Sequence, residues 1–223
     1  MAERLHPFPN PNSWPSGGGD RMTSDSSCVI GVLAIQGGVI EHMNHIARIG
    51  AFPKEVRLPA DLEGIDGLIL PGGESTTIGK LAVRFGLIEP IRRFAADHPV
   101  WGTCAGAILM ARDTGSPQPL LELLDMKVRR NAFGRQVDSF ETELTIPALA
   151  SVSDGENRPF HAVFIRAPRI EQTGPDAEIL ATLPDGTIVG VQQGRLMATS
   201  FHPELSTDDR FHRYFLKLIR RMT

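Results

Sequence analysis

Two cysteines, one tyrosine and no surplus of positive charge are what this chain of 223 residues has least of, and each shortage excludes something. With only Cys28 and Cys104 there is no disulfide framework and no cysteine-rich metal site. A bridge between the two would consume a thiol that stands in a chemically suggestive turn, so a reducing, cytoplasmic compartment is expected. Lysine and arginine number 23 against 26 acidic residues, for a formal net charge of -3. The basic residues are dispersed, which leaves no electrostatic footprint for nucleic acid or anionic membrane. No apolar run approaches bilayer-spanning length, and residues 1–27 hold no hydrophobic stretch of the signal-peptide type.

What is present suits one substantial core. Hydrophobic residues make up 41% and charged residues 22%, and the length fits a single domain better than two. Residues 1–27 contain Pro7, Pro9, Pro11, Pro15 and three consecutive glycines from Gly17 with few large apolar side chains, so a flexible extension is expected there, followed by the folded domain over 28–223. The run 28–35 is almost continuously apolar, as in a strand covered on both faces. A helix over 39–49, an extended segment at 55–57, a buried strand at 67–70, helical residues over 76–94 broken near Phe85 and Gly86, a strand at 99–101 and a helix over 107–112 follow in turn. This βα alternation predicts an α/β, doubly wound, mostly parallel sheet with ligands at the carboxyl ends of its strands. Short strands at 141–146, 161–165, 177–182, 187–192 and 196–200, with turns at Asp185-Gly186 and Gln193-Gly194, predict an added antiparallel section. A closing helix from Asp208 carries an apolar stripe of Phe211, Tyr214, Phe215, Leu218 and Met222.

Three segments carry chemistry. In Gly102-Thr103-Cys104-Ala105-Gly106 a cysteine stands between small residues where a strand meets a helix, the arrangement of a nucleophile elbow. The helix dipole there favours the thiolate. Taken alone, the segment is equally compatible with a buried structural cysteine. In Ser200-Phe201-His202-Pro203-Glu204 a strand ends in a histidine with a carboxylate two residues on, so the two can share a face. Cys104 as nucleophile, His202 as base and Glu204 as orienting group complete a triad. Leu70-Pro71-Gly72-Gly73-Glu74-Ser75 places a glycine pair at the end of a buried strand. Backbone N–H groups of Gly73 and Ala105 are the expected oxyanion donors, each worth about 3 kcal/mol of barrier. Gln36, after the first strand, is expected to orient that loop.

Together these segments resemble the class I (triad) glutamine amidotransferases, with the flavodoxin-like fold of that family. Ile35-Gln36-Gly37-Gly38-Val39-Ile40-Glu41-His42, LPGGESTT over 70–77, the motif over 130–141, Phe164-Ile165-Arg166-Ala167-Pro168 and SFHPEL over 200–205 narrow the resemblance to the glutaminase subunits of pyridoxal 5'-phosphate synthase. It spans about residues 29–221. The resemblance implies that Gly73, Glu74 and Ser75 line a glutamine site that Arg130, Ile165 and Arg166 complete. Free glutamine carries an α-carboxylate and an α-ammonium, for which arginine, glutamate and backbone groups are suitable partners. It further implies a synthase partner subunit receiving ammonia in a large ring assembly, and weak activity before that partner docks. Two departures stand out: Ala107 where a bulkier residue is usual, and Gln192-Gln193-Gly194 where a basic residue often precedes the second glutamine.

The rival readings are a glutaminase for another synthase, a free-standing γ-glutamyl hydrolase, and a non-catalytic docking protein. His42, His45, His161 and His212 receive no role. Glu41, His42 and His45 have helical spacing but form no complete ligand set, so no metal is expected, and no cofactor.

Overall fold

The computed structural model describes residues 28–130, 139–153 and 155–221. The expected N-terminal extension, most of the 130–141 motif and Met222 lie outside the described residues. The first half alternates as expected: β1 (Val29–Leu33), α1 (Val39–Arg48), β2 (Phe52–Val56), β3 (Gly67–Leu70), α2 (Ser75–Arg84), α3 (Ile88–Asp97), β4 (Val100–Thr103) and α4 (Ala105–Met110). The second half runs through β5 (Ala111–Asp113), β6 (Leu124–Arg129), β7 (Ser139–Leu144), β8 (Phe160–Ile165), β9 (Arg169–Thr173), β10 (Glu178–Thr182), β11 (Ile188–Gln193) and β12 (Leu196–Thr199) to α5 (Arg210–Arg220).

Ten strands form one sheet in the order β2-β1-β3-β4-β12-β11-β9-β6-β5, with β10 paired to β11. The first five are mutually parallel. The antiparallel strands continue that same sheet through the β11–β12 and β10–β11 hairpins, whose turns are those expected at Gln193-Gly194 and Asp185-Gly186. Among the described residues only β7 and β8 pair separately, as a hairpin.

Alternation along the strands divides the core in two. Ile30, Val32 and Trp101 face α1 and α5, where they meet Ile46, Phe211 and Phe215, while Leu33, Val100 and Leu70 face α2, α3 and α4. Helices thus cover both faces, and near-continuous burial of β1, β3 and β4 follows from that. The apolar stripe of α5 is core: Phe211 stacks on Trp101 and Phe215 packs tilted against it, at 5.9 and 5.7 Å between ring centroids.

The break between α2 and α3 is a Schellman turn. Gly86, with φ +67, donates to the Val83 carbonyl and Leu87 donates to that of Ala82. Two expectations need correction. The helix after the elbow starts at Ala105 and stops at Met110, and Ala111 already belongs to β5, not to a helix running to Arg112. Strands β5, β6 and β9 were not anticipated: β9 buries only Ile170, and so short and polar a segment has no apolar run to announce it.

Candidate active site

Strands β1, β3, β4 and β12 lie side by side and parallel, so the segments that follow them meet at one edge of the sheet. Those segments carry Gln36, Gly72-Gly73, Cys104 and His202. Cys104 sits at the β4–α4 junction with φ +48 and ψ -104, a left-handed conformation that a side chain adopts only under strain of about 1–3 kcal/mol. The neighbouring glycines make the bend possible. A Cβ on Gly102 would stand 2.6 Å from the carbonyl carbon of Gly106, and one on Gly106 would collide with the Leu70 carbonyl. The Cys104 N–H donates to Thr199 O of β12 at 2.8 Å, which ties the elbow to the strand that delivers the histidine.

His202 is fixed from both sides. Its N–H donates to Val163 O of β8 at 2.8 Å, and its Nδ1 lies 2.7 Å from Glu204 Oε1, which turns Nε2 toward the thiol. Burial disfavours the imidazolium, but hydrogen bonds and charge from Cys104 and Glu204 outweigh it and push the His202 pKa up to about 10. Burial likewise works against the Glu204 carboxylate, yet the imidazoles of His42 and His202 hold it below the ordinary carboxylate value. The Cys104 thiol lies 3.9 Å from the carbonyl of Ile165. The next residue, Arg166, is itself left-handed at φ +44.

A cleft of about 300 Å³ opens over these groups, lined by Gln36, Gly73, Glu74, Ser75, Cys104, Ile108, Arg130, Ile165, Arg166 and His202. Every residue expected at the site is in that lining except Ala105 and Glu204, which lie buried just beneath it. Gln36 Oε1 accepts from the Glu74 N–H at 2.8 Å, and its carboxamide packs where a side chain on Gly73 would stand. Gly72 O accepts from the Gly38 N–H at 3.1 Å. In a trans peptide this turns the Gly73 N–H away from the Gly37-Gly38 turn.

Glu74 and Arg130 are engaged with each other. Glu74 caps α2 by accepting from the N–H groups of Thr76 and Thr77, and the Thr77 hydroxyl does most to bring its pKa down to about 2. Arg130 donates to Glu74 Oε1 at 2.9 Å and to the Thr76 hydroxyl at 2.8 Å.

Two residues were missed. Ile108 supplies an apolar patch to the cleft. Gln118, between Pro117 and Pro119, uses its carbonyl oxygen to receive Ser75, Thr76 and Arg130. Nothing in its local sequence marks it, because its partners are distant in the chain. Cys28 is a buried free thiol whose pKa burial, above all, pushes up to about 11, as befits a packing residue. Among the described residues no group of His, Cys, Asp and Glu is placed to hold a metal, and no helix is long and apolar enough to cross a membrane.

A thiol on a strained strand-to-helix turn stands beside a histidine and a cleft on a doubly wound sheet, and comparison with known proteins gives the class. The chain belongs to the SNO glutamine amidotransferase family, whose model matches residues 32–221. Its relatives include the pyridoxal 5'-phosphate synthase subunit PdxT of Moorella thermoacetica, 59% identical over 192 residues that cover 85% of this chain and 98% of that protein. The protein of the same name from Corynebacterium jeikeium is 53% identical over 197 residues, covering 86% of this chain and 97% of the relative. A crystal structure of a glutamine amidotransferase superposes with a TM-score of 0.79 at 48% identity, covering 86% of this chain and 98% of that one.

Proposed function

We propose that this chain is the glutaminase subunit of a pyridoxal 5'-phosphate synthase, and that Cys104, His202 and Glu204 carry its reaction. The observation behind the second part is the continuous line from the elbow thiol through His202 to a buried carboxylate, at the floor of a cleft bordered by two arginines and one glutamate. That lining suits the zwitterionic end of free glutamine, with Arg130 and Arg166 for its carboxylate and Glu74 or carbonyl groups for its ammonium.

The proton of the Cys104 thiol passes to His202, whose raised pKa suits it to hold that proton. The thiolate attacks the side-chain carbonyl carbon of glutamine, and the negative charge on the oxygen falls to the N–H groups of Gly73 and Ala105. His202 Nε2–H protonates the amide nitrogen as the C–N bond breaks, releasing ammonia and leaving a γ-glutamyl thioester. Neutral His202 then takes a proton from water, whose oxygen attacks the thioester. Glutamate departs and the thiolate–imidazolium pair is restored. Ile108 gives one wall of the cleft an apolar patch.

Ammonia passes to a synthase subunit, in an assembly read as a large ring, and a cytoplasmic setting keeps the Cys104 thiol reduced. The test is glutamate release from glutamine with and without the synthase subunit. Activity should rise when the subunit is added and vanish in Cys104→Ala. Full partner-stimulated activity in Cys104→Ala sinks the mechanism, and full activity without any partner favours a free-standing hydrolase.

A further inference from the structure

Behind Glu204, away from the cleft, lies a set of side chains that the reaction does not use. His42 and His45 of α1 and His212 of α5 are 0%, 2% and 1% exposed, so only groups within the protein can pair their ring nitrogens. Glu204 gives Oε1 to His202. Its Oε2 is buried with no hydrogen bond, and the group facing it is His42 Nε2 at 3.5 Å, the long limit for such a bond. His42 Nε2 also lies 3.2 Å from the Thr103 hydroxyl, and His42 Nδ1 lies 3.0 Å from His212 Nε2. His212 Nδ1 has no partner. His45 stacks on His212 at 4.2 Å and reaches the Glu204 backbone carbonyl with Nε2 at 3.2 Å, while its Nδ1 meets Asp209 at 2.6 Å.

Hydrogen-bond accounting assigns the tautomers. Burial, above all, lowers the pKa of His42 and of His212, which favours the neutral rings, and at 3.0 Å one hydrogen occupies the line between them. Were it on His42, that ring would turn a lone pair toward the Glu204 carboxylate, and His212 would keep a buried N–H with no acceptor. With the hydrogen on His212 Nε2, His42 carries its own on Nε2, between Thr103 and Glu204, and only a lone pair on His212 goes unpaired. The second arrangement leaves no N–H of the pair stranded and is the cheaper one.

We propose that His42 is a positioning residue for the triad: its Nε2–H, held in place by His212, supports the second oxygen of Glu204 and thereby the orientation of His202. This rests on the reading that Cys104, His202 and Glu204 carry the reaction. The titratable groups facing His42 are Glu204 and His202 from the segment after β12, His212 from α5, and Glu41 and His45 from its own helix.

The test compares His42→Phe, which fills the space without a donor, with His42→Gln, whose amide nitrogen replaces Nε2–H. Both are assayed as the full chain with the synthase subunit. His42→Phe should lower kcat about tenfold or more with KM little changed. The acid limb of its kcat/KM profile should move to higher pH, because a carboxylate deprived of a donor holds its proton more tightly. His42→Gln should restore most of the rate and the original acid limb. A wild-type profile in folded His42→Phe overturns the proposal, as does equal loss in both variants with the acid limb unmoved. If neither variant folds, nitrogen NMR of histidine-labelled wild-type protein decides. A neutral His42 carrying its hydrogen on Nε2 at neutral pH supports the proposal, and an Nδ1–H or imidazolium form overturns it. Cys104→Ala run alongside separates the two claims, since glutamine hydrolysis by that variant refutes the triad itself.

Discussion

Replacing Gly72 by alanine adds one methyl group where the loop after β3 faces the imidazole of His202. That carbon would stand 2.5 Å from Cε1 and 2.9 Å from Nδ1 of His202, and 3.4 Å from Cys104 Cβ. Ordinary carbon–carbon contact begins near about 3.5 Å, so the imidazole must retreat by about 1 Å. Its Nδ1 is held by Glu204 at 2.7 Å, and the side chain is 12% exposed, leaving the cleft as the open direction. The move stretches the Glu204 bond and turns Nε2 off the thiol. A displacement of that size costs on the order of a hundredfold in rate, while the overpacking destabilises the fold by only about 1–3 kcal/mol. Glutamine hydrolysis with the synthase subunit present gives the first quantity, and thermal unfolding followed by circular dichroism gives the second. Gly64→Ala is the control. Gly64 is left-handed at φ +73 with nothing near its Cβ position, so that variant should lose a little stability and no activity. If Gly72→Ala folds and keeps kcat/KM within about threefold of wild type, the placement of His202 against that loop is wrong.

Other outcomes follow from the same contacts. Glu74→Ala removes the cap of α2 and should destabilise by about 1 kcal/mol, a melting shift of about 2–4 °C, while raising KM for glutamine as Arg130 loses its partner. Because Glu74 is half exposed, its ion pair adds little to that figure. The folded-state pKa of His202 is raised, so its pairing stabilises the protein fully below its unfolded value near 6.5 and is lost as pH rises through about 10. In urea unfolding, the stability gap between wild type and His202→Asn should therefore be wider at about pH 6 than at about pH 10. Phe215→Ala opens a cavity beside Trp101 and should cost about 3–5 kcal/mol, read as a lowered urea midpoint with unchanged slope.

The parallel half of the fold is legible because local pattern and tertiary role coincide there. Strands β1, β3 and β4 are covered on both faces, so an unbroken apolar run is what burial demands, and their ends can be read to within a residue or two. Strand β6 differs. Leu124, Met126 and Val128 turn inward while Asp125, Lys127 and Arg129 do not, and within a stretch containing Pro117, Pro119 and Gly115 that alternation is too short to stand out. Strand β9 forms because β6 and β11 offer it hydrogen-bond partners on either side, a cause that lies in other parts of the chain.

The same distinction governs the site. Cys104, His202 and Glu204 are readable because each lies where an apolar run stops, and His202 and Glu204 are close enough in sequence for backbone geometry to relate them. Glu41, His42 and His45 have equally regular spacing, but a helical repeat says only that these residues share a side of α1. Whether that side meets solvent, a metal or a carboxylate depends on what packs against it. Here α1 and α5 cover the same face of the sheet, which brings His42 to 3.0 Å from His212, 170 residues away, and sets its other nitrogen before Glu204. An incomplete metal set by spacing is a buried chain of imidazoles by packing. Its position one step behind Glu204 is why, on the proposed mechanism, substitutions at His42 should register in the pH dependence of the reaction as well as in stability.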